Sequence, residues 1–346
     1  MGLTWESLMD MAVRSPILGA ALVLTLAVIF VNGWTDAPNA IATVVGTGAL
    51  DMERAVALAA VCNFCGVVVM TGLNAAVTLT ISGLADFGED TQRALTALTA
   101  ALLTVVIWAV GAWLLSVPTS ESHALIAALT GAALALQGDF AAVNGAAWAR
   151  VLWGLAASVL PGAALGWMLC VLFRRLFSGR GKGFFRRAQV WGGAAMAFMH
   201  GAQDGQKFLG VLLLTAALGG GSGRVSARFP LFLIVLCACV MAAGTAVGGR
   251  RIIRAVGMDM VHLTPAEGFA ADAAGALALL AATLLGLPAS TTHTKTTAIM
   301  GAGAAQGSGG VDLRIVRDIL WVWVLTFPGC GVLGFLTALL LTGGSG

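Results

Sequence analysis

The stretch GWTDAPNA at Gly33–Ala40 returns as GAQDGQKF at Gly201–Phe208, so that Asp36 and Asp204 stand 168 residues apart. Two further pairs of similar blocks follow in the same order and at nearly the same separation. They are VPTSESH (Val117–His123) with LPASTTH (Leu287–His293), and VLWGLAASVLPGAALGW (Val151–Trp167) with ILWVWVLTFPGCGVLGF (Ile319–Phe335). Three matched pairs in one order indicate a duplicated unit.

The composition places this duplicated unit in a membrane. Of the 346 residues, 59% are hydrophobic and only 10% are charged, and the mean hydropathy is +0.93. Soluble domains carry about 25% charged residues, so a soluble enzyme, a disordered chain and a nucleic-acid-binding protein are excluded. The apolar stretches are long and continuous, which predicts membrane helices rather than a β-barrel. The 46 glycines indicate close helix packing and interrupted helices in an all-α polytopic membrane protein.

The orientation of the chain follows from its charged segments. Arg174–Arg187 holds six basic residues in 14 and no acid, and the positive-inside rule places it in the cytoplasm. The segment with Arg250, Arg251 and Arg254 then also lies inside, whereas the acidic Asp86–Asp90 loop lies outside. Each half has three crossings and one hairpin, and an odd number of crossings gives the halves inverted topology. Both termini then face outside, and such inverted repeats with broken helices are typical of secondary transporters.

The predicted boundaries divide the chain into three parts. These are a first transmembrane repeat (1–173), a basic cytoplasmic linker (174–187) and a second transmembrane repeat (188–346). The hairpins fall at Ala94–Asp139 and Phe269–Gly307, with Pro118 and Pro288 near their tips. Length alone leaves open whether the hairpins span the membrane or re-enter it.

Asp36 and Asp204 lie inside apolar runs, where an unpaired carboxylate costs several kcal/mol. Residues that break helices stand beside both of them. These are Gly33 and Pro38 in the first run and Gly201 and Gly205 in the second. Carboxylates, amides and carbonyls freed by unwinding form an oxygen-rich cage for a small hard cation. The predicted coupling-ion residues are Thr35, Asp36, Asn39, Gln203, Asp204 and Gln206; the simpler alternative is that the two carboxylates only join packed helices.

Two clusters of hydroxyl side chains each follow a proline and precede a short apolar helix. Ser and Thr are natural N-caps, and a helix N-terminus offers free N–H groups and a partial positive charge. Two such ends that meet from opposite sides predict an anion site, with simple helix capping as the alternative. The cluster residues are Ser120, Glu121, Ser122, Ser290, Thr291 and Thr292.

Four basic residues beside these motifs receive supporting roles. His123 and His293 are interpreted as orienting hydrogen-bond partners inside the bundle, and a proton-linked role stays open. Lys207 and Lys295 are intramembrane cations, and the favoured interpretation is that they pair with Asp204 or Glu121. The alternative is that they attract an anion.

These motifs resemble those of the inorganic phosphate transporter (PiT) family, whose members are sodium- or proton-coupled anion symporters. The family signature is a duplicated GANDxxNA-like stretch and a duplicated PxSTTH-like stretch. The resemblance runs from about Leu18 to Leu341 and includes the basic central loop. It implies a homodimeric phosphate symporter without a cofactor, with Na⁺ or H⁺ held near Asp36, Asn39 and Asp204. It also implies that phosphate is held by the hydroxyl clusters.

The sequence departs from the family pattern at four positions. Thr35 and Gln203 replace the Asn of the two GAND motifs, Lys207 replaces an Asn, and Glu121 replaces a Thr. A carboxylate at position 121 repels phosphate by several kcal/mol at low dielectric. We therefore expect Glu121 to pair with Lys207 or Lys295, or to be protonated and carry a coupled proton. The third account is a substrate other than phosphate.

Other functions agree less well with the sequence. Sulfate or another oxyanion is the nearest alternative; a protonated phosphate needs an acceptor for its P–OH, which Glu121 or Asp36 supplies. An intramembrane hydrolase is disfavoured because GxSxG is absent and a duplicated site has no catalytic purpose. An ion channel or a scaffold is disfavoured because the polar groups cluster at two elements and no large soluble domain exists. No GxxxxGK[ST] motif is present, which points to an ion gradient as the driving force. The short loops suggest the bacterial inner membrane, and no structural metal is expected.

Overall fold

Long α-helices joined by short loops account for most of the described chain. The computed structural model describes residues 3–117, 119–221, 225, 229–249, 253, 261–307, 311 and 313–343; Pro118, Arg250, Arg251 and Arg254 lie outside these ranges. The helices are α1 (Trp5–Arg14), α2 (Pro16–Thr35), α3 (Pro38–Gly46), α4 (Met52–Leu73), α5 (Ala76–Ser82), α6 (Thr91–Leu114), α7 (Glu121–Gln137), α8 (Gly145–Leu176), α9 (Lys182–Gly219), α10 (Leu231–Val247), α11 (Pro265–Leu284), α12 (Thr291–Ala304) and α13 (Leu313–Thr342). With α2 and α3 taken as one run, six are long and apolar enough to cross a membrane. The predicted all-α polytopic membrane fold is confirmed.

The first repeated block forms the predicted helix break. α2 ends at Thr35, and α3 begins at Pro38. Proline has no N–H to donate to the carbonyl four residues earlier, so the helical ladder stops there. The N–H groups of Asp36 and Ala37 still donate to the carbonyl of Asn32, at 2.9 and 3.2 Å, so these two residues end the hydrogen bonding of α2. The break therefore presents Asp36 between two helix ends.

The predicted break in the second block is wrong. α9 is continuous over its 38 residues and carries Gly201, Asp204 and Gly205 in its interior. The two glycines serve packing instead: a Cβ at Gly201 would lie 2.2 Å from the carbonyl oxygen of Asn63, and one at Gly205 would lie 2.3 Å from a methyl of Val67. A glycine costs a helix only about 1 kcal/mol relative to alanine, and the second block has no proline. Close packing against α4 therefore keeps the helix intact.

Among the described residues, four helix crossings have a glycine on each helix that meets the backbone of the other. Where α4 crosses α9, a Cβ at Gly66 would lie 2.0 Å from the carbonyl oxygen of Phe198, and Gly201 faces Asn63 in return. The other three crossings have the same reciprocal form. They join α2 to α10 (Gly33, Gly244), α7 to α13 (Gly131, Gly334) and α8 to α12 (Gly166, Gly301). Small residues of this kind let membrane helices approach closely.

Replacing Gly66 with alanine is expected to destabilise the protein by about 1–3 kcal/mol, because the added methyl meets backbone that cannot move aside. Gly72→Ala is the matched control, since nothing lies within 4 Å of a Cβ there. Its effect should stay under about 1 kcal/mol. Denaturation of the purified variants in detergent measures both. Equal stability of the two variants would show that the crossing tolerates a wider spacing.

Two helical hairpins enter the bundle, as predicted. α6 packs on α7, and α11 packs on α12. α6 has 24 residues and α11 has 20, so each is long enough to cross a hydrocarbon core of about 30 Å, whereas α7 with 17 and α12 with 14 residues are shorter. The hairpin tips meet inside the protein, where the hydroxyl of Ser290 donates to that of Ser120 at 2.9 Å.

Candidate anion and cation site

A buried polar cluster forms where the two hairpin tips meet the α2–α3 break and the middle of α9. Ser120 caps α7 by accepting the N–H of His123 at 3.3 Å, and Ser290 caps α12 by accepting the N–H of His293 at 3.2 Å. The Ser290–Ser120 hydrogen bond therefore brings two helix N-termini together. Their unpaired N–H groups and partial positive charges favour an anion at this point.

Asp36 is buried at the helix break and accepts several side-chain donors. The amide of Asn39 donates to Oδ1 at 2.7 Å, and the hydroxyl of Thr292 donates to the same oxygen at 2.5 Å. The hydroxyl of Thr291 lies 3.3 Å from Oδ2. Two hydroxyls of the second cluster thus bind the first carboxylate, which links the predicted anion and cation residues.

Asp204 lies on α9 within the same cluster and is fully buried. Lys207 Nζ donates to Oδ1 at 2.5 Å, and the hydroxyl of Thr291 donates to Oδ2 at 2.9 Å. Asn32 donates to Oδ2 at 3.3 Å, and His200 Nε2 lies 3.4 Å from that oxygen. Thr291 therefore bridges Asp36 and Asp204, although 168 residues separate them in the sequence.

The two predicted glutamines lie apart from this cluster. Gln203 donates its amide to the carbonyl of Leu287 at 3.0 Å, and Gln206 donates to the carbonyl of Asn74 at 2.8 Å. Gln203 thus braces the tip of the second hairpin, and Gln206 braces the turn between α4 and α5. The structure brings Thr35, Asn39 and the two aspartates together and leaves the glutamines on other faces of α9.

Glu121 faces the α2–α3 break rather than a lysine. Its Oε1 accepts the hydroxyl of Thr35, and its Oε2 has no hydrogen-bond partner among the described residues. A cavity of about 10 Å³ adjoins this carboxyl and is also lined by Asn39 and Thr119, which is room for about one water molecule. Lys207 has other partners, so the predicted pairing of Glu121 with a lysine is wrong.

Lys295 also pairs with a residue that the sequence analysis did not single out. Its ammonium contacts the carboxylate of Asp272, and it donates to the hydroxyl of Thr43 at 2.9 Å. Both charged groups are fully buried. Asp272 is a lone carboxylate in an apolar run, which is the same signal that marked Asp36 and Asp204. The pair ties α11 and α12 to α3.

The two histidines stack on aromatic rings. The His123 ring lies 4.4 Å from that of Phe327, and the His293 ring lies 3.6 Å from that of Trp323. The histidine rings also contact each other, with centroids 4.5 Å apart. Neither ring nitrogen of His293, nor Nδ1 of His123, has a hydrogen-bond partner among the described residues, so the predicted orienting hydrogen bond is not formed by His293. Ring stacking on α13 positions these side chains instead.

Asn32 and His200 are the site residues that the sequence analysis missed. Each stands directly before its repeated block, and 168 residues separate them, as with the aspartates. Both contact Asp204, and His200 Nδ1 lies 3.1 Å from Oδ1 of Asn63. A polar residue in the same register of both apolar runs was the available signal.

Comparison with known sequences finds similar proteins over most of the chain. The model of the phosphate transporter family matches residues 32–334. A Bacillus subtilis protein named "Probable low-affinity inorganic phosphate transporter" is 34% identical over 327 residues, which cover 92% of this chain and 96% of the relative. A Rhizobium meliloti protein of the same name is 34% identical over 338 residues, with 95% and 97% covered. These names describe transporters, which are not enzymes.

The fold also matches a solved structure described as "The sodium-dependent phosphate transporter". The TM-score is 0.82 at 20% sequence identity, and the match covers 94% of this chain and 99% of that one. This similarity shows a shared fold across the whole membrane bundle. Family model, relatives and motifs agree with one another over most of the chain, and the protein is therefore a member of the phosphate transporter family.

Proposed function

We propose that this protein is a secondary active symporter that moves inorganic phosphate across the bacterial inner membrane, driven by a Na⁺ or H⁺ gradient. The observation that carries the proposal is the charge of the buried cluster. Three buried carboxylates (Asp36, Glu121 and Asp204) share the cluster with one lysine, Lys207, which pairs with Asp204 beside two helix N-termini. An anion cannot enter a site with this excess of carboxylates unless cations or protons accompany it.

The hydroxyl groups supply the coupling between anion and cation. A hydroxyl has one proton, so Thr291 and Thr292 donate it either to the carboxylates or to phosphate. In the structure they donate to Asp36 and Asp204. A cation or proton on these carboxylates takes over their oxygens and frees the hydroxyls for the anion. Phosphate binding and cation binding then each favour the other.

The coupling cation has candidate ligands in place. One ligand atom each from Asp36, His200 and Asp204 lies within 4.8 Å of the other two. The carboxylate oxygens of Asp36 and Asp204 suit Na⁺, whereas the unpartnered carboxyl oxygen of Glu121 suits a proton. Either cation neutralises the cluster, so the choice between them is left to the transport measurement.

We further propose that residues 1–173 and 188–346 are inverted-topology repeats. The glycine crossings support this, because α2–α10 and α4–α9 exchange under the duplication, as do α7–α13 and α8–α12. The basic linker 174–187 then faces the cytoplasm, and both termini face outside. Alternating access moves the hairpins and the α2–α3 break against the longer helices. The family resemblance adds a homodimer as the assembly.

Uptake of radiolabelled phosphate into proteoliposomes tests the proposal. An imposed Na⁺ gradient or an imposed pH gradient is expected to drive uptake above the rate in empty liposomes, and sulfate is expected to compete poorly. Whichever gradient drives uptake identifies the coupling cation. Sulfate uptake without phosphate uptake would show that this chain transports another oxyanion. No uptake of either anion under both gradients would overturn the proposal.

Glu121→Gln is expected to change the pH dependence of phosphate uptake or its apparent affinity, because it removes a buried carboxyl that bears a proton during anion binding. If the proton is the coupled ion, the variant should lose uptake driven by a pH gradient and keep phosphate exchange at equal pH. Initial rates across a pH series measure both quantities. Unchanged pH dependence together with unchanged affinity would remove Glu121 from the mechanism.

A further inference from the structure

Lys207 holds its ammonium group at the centre of the polar cluster. The group donates to Asp204 Oδ1 at 2.5 Å, to the hydroxyl of Ser122 at 2.7 Å and to the carbonyl of Ala289. The side chain is fully buried. Its three protons thus have three oxygen partners, from α9, from the start of α7 and from the tip of the second hairpin.

This set of partners is the kind of ligand set that binds a small metal cation. A carboxylate, a hydroxyl and a backbone carbonyl converge on one point from three separate elements. Hard monovalent and divalent cations are held in proteins by such oxygen ligands. The ammonium delivers one positive charge at that point, and it is tethered to α9. An exchangeable cation therefore finds this position already filled.

We infer that Lys207 is a resident cation, which occupies one cation position of the transport site in place of an exchangeable ion. The inference rests on the proposed function for its role in transport, but the cation position itself is defined by the contacts of Lys207. It follows that shortening this side chain opens the position to free NH₄⁺ or Na⁺. A side chain that keeps the length of lysine without its charge leaves no room for either ion.

Two substitutions separate charge from space. Lys207→Ser removes the ammonium and its stem, so that Asp204, Ser122 and the carbonyl of Ala289 face an opening. Lys207→Met removes the charge and keeps an apolar stem in the same volume. Both variants are purified as the full chain in detergent. Phosphate binding at equilibrium and thermal unfolding are then measured in chloride salts of choline, NH₄⁺ and Na⁺ at one pH and ionic strength.

We expect both variants to bind phosphate at least ~100-fold more weakly than the parent chain in choline. NH₄⁺ or Na⁺ should increase the phosphate affinity of Lys207→Ser at least ~10-fold relative to choline and raise its unfolding temperature. The same ions should not increase the phosphate affinity of Lys207→Met, because the methionine side chain fills the position. Choline is too large to enter, which makes it the reference cation.

The outcomes that overturn the inference are distinct from a failure of the proposed function. Full phosphate affinity of Lys207→Ser in choline would show that the ammonium is dispensable. Equal affinity and equal unfolding temperature of Lys207→Ser in all three salts would show that no cation position opens. If the parent chain binds no phosphate at all, the proposed function fails. The effect of each salt on the unfolding of Lys207→Ser still decides whether the position accepts a cation.

Discussion

Asp204→Asn is expected to abolish phosphate uptake and to destabilise the protein by about 3–5 kcal/mol, because it leaves the buried ammonium of Lys207 without a counter-charge. The same change weakens the acceptor for Thr291 and Asn32 and removes the charge beside His200. We expect initial uptake rates in proteoliposomes to fall at least ~100-fold. Denaturation in mixed micelles measures the loss of stability.

Two comparisons separate the structural effect from the transport effect. Asp10→Asn removes a carboxylate whose partner Arg14 is exposed, and it should cost at most about 1 kcal/mol. The double variant Asp204→Asn, Lys207→Met removes both charges and should regain much of the stability without regaining uptake. Normal uptake by Asp204→Asn would exclude this carboxylate from the transport cycle.

Lys295→Met is expected to destabilise the protein by about 3–5 kcal/mol, since it leaves Asp272 as an unpaired charge in the protein interior. The double variant Lys295→Met, Asp272→Leu replaces the ion pair with apolar groups of similar volume. Its stability should return to within about 1–2 kcal/mol of the parent chain. A double-mutant cycle in denaturant gives the coupling energy directly.

The cycle has a clear negative result. If the destabilisation of the double variant equals the sum of the destabilisations of the two single variants, the two charges do not stabilise one another and the contact is incidental. Thr43 also donates to Asp272 at 2.6 Å, so Thr43→Val is the matched change that removes a neutral donor and keeps the pair. Because Thr43 also accepts from Lys295, the change removes two hydrogen bonds to charged groups, and its expected cost is about 2–3 kcal/mol.

The repeated blocks predicted much of the site because duplication copies residues in register. Asp36 and Asp204, with Thr291, Thr292 and the two capping serines, meet in space as their motifs suggested. Hydropathy predicted the helices and the two hairpins for a simple reason: a membrane segment must be continuously apolar to be inserted.

The wrong predictions have a common physical cause: the local sequence does not determine which residue a side chain contacts in the folded protein. A glycine can either weaken a helix or allow a neighbouring helix to approach closely. At Gly201 the backbone of Asn63 packs against the glycine, so the residue serves close packing. Gln203 and Gln206 flank Asp204 in sequence but leave α9 in other directions. Lys295 pairs with Asp272, which lies 23 residues earlier in the sequence and on another helix.

Because α9 is unbroken, we expect the positions of Asp204 and Lys207 in the buried cluster to depend on the thickness of the lipid bilayer. Its 38 residues extend about 57 Å, against a hydrocarbon core of about 30 Å. A rod of this length accommodates thicker or thinner membranes by tilting, and Asp204 and Lys207 tilt with it. Thr291, which donates to Asp204, lies at the start of the short helix α12, and Asp36 lies at the break between α2 and α3. We therefore expect phosphate uptake in proteoliposomes to change with the acyl-chain length of the lipids, through the distance between the two carboxylates.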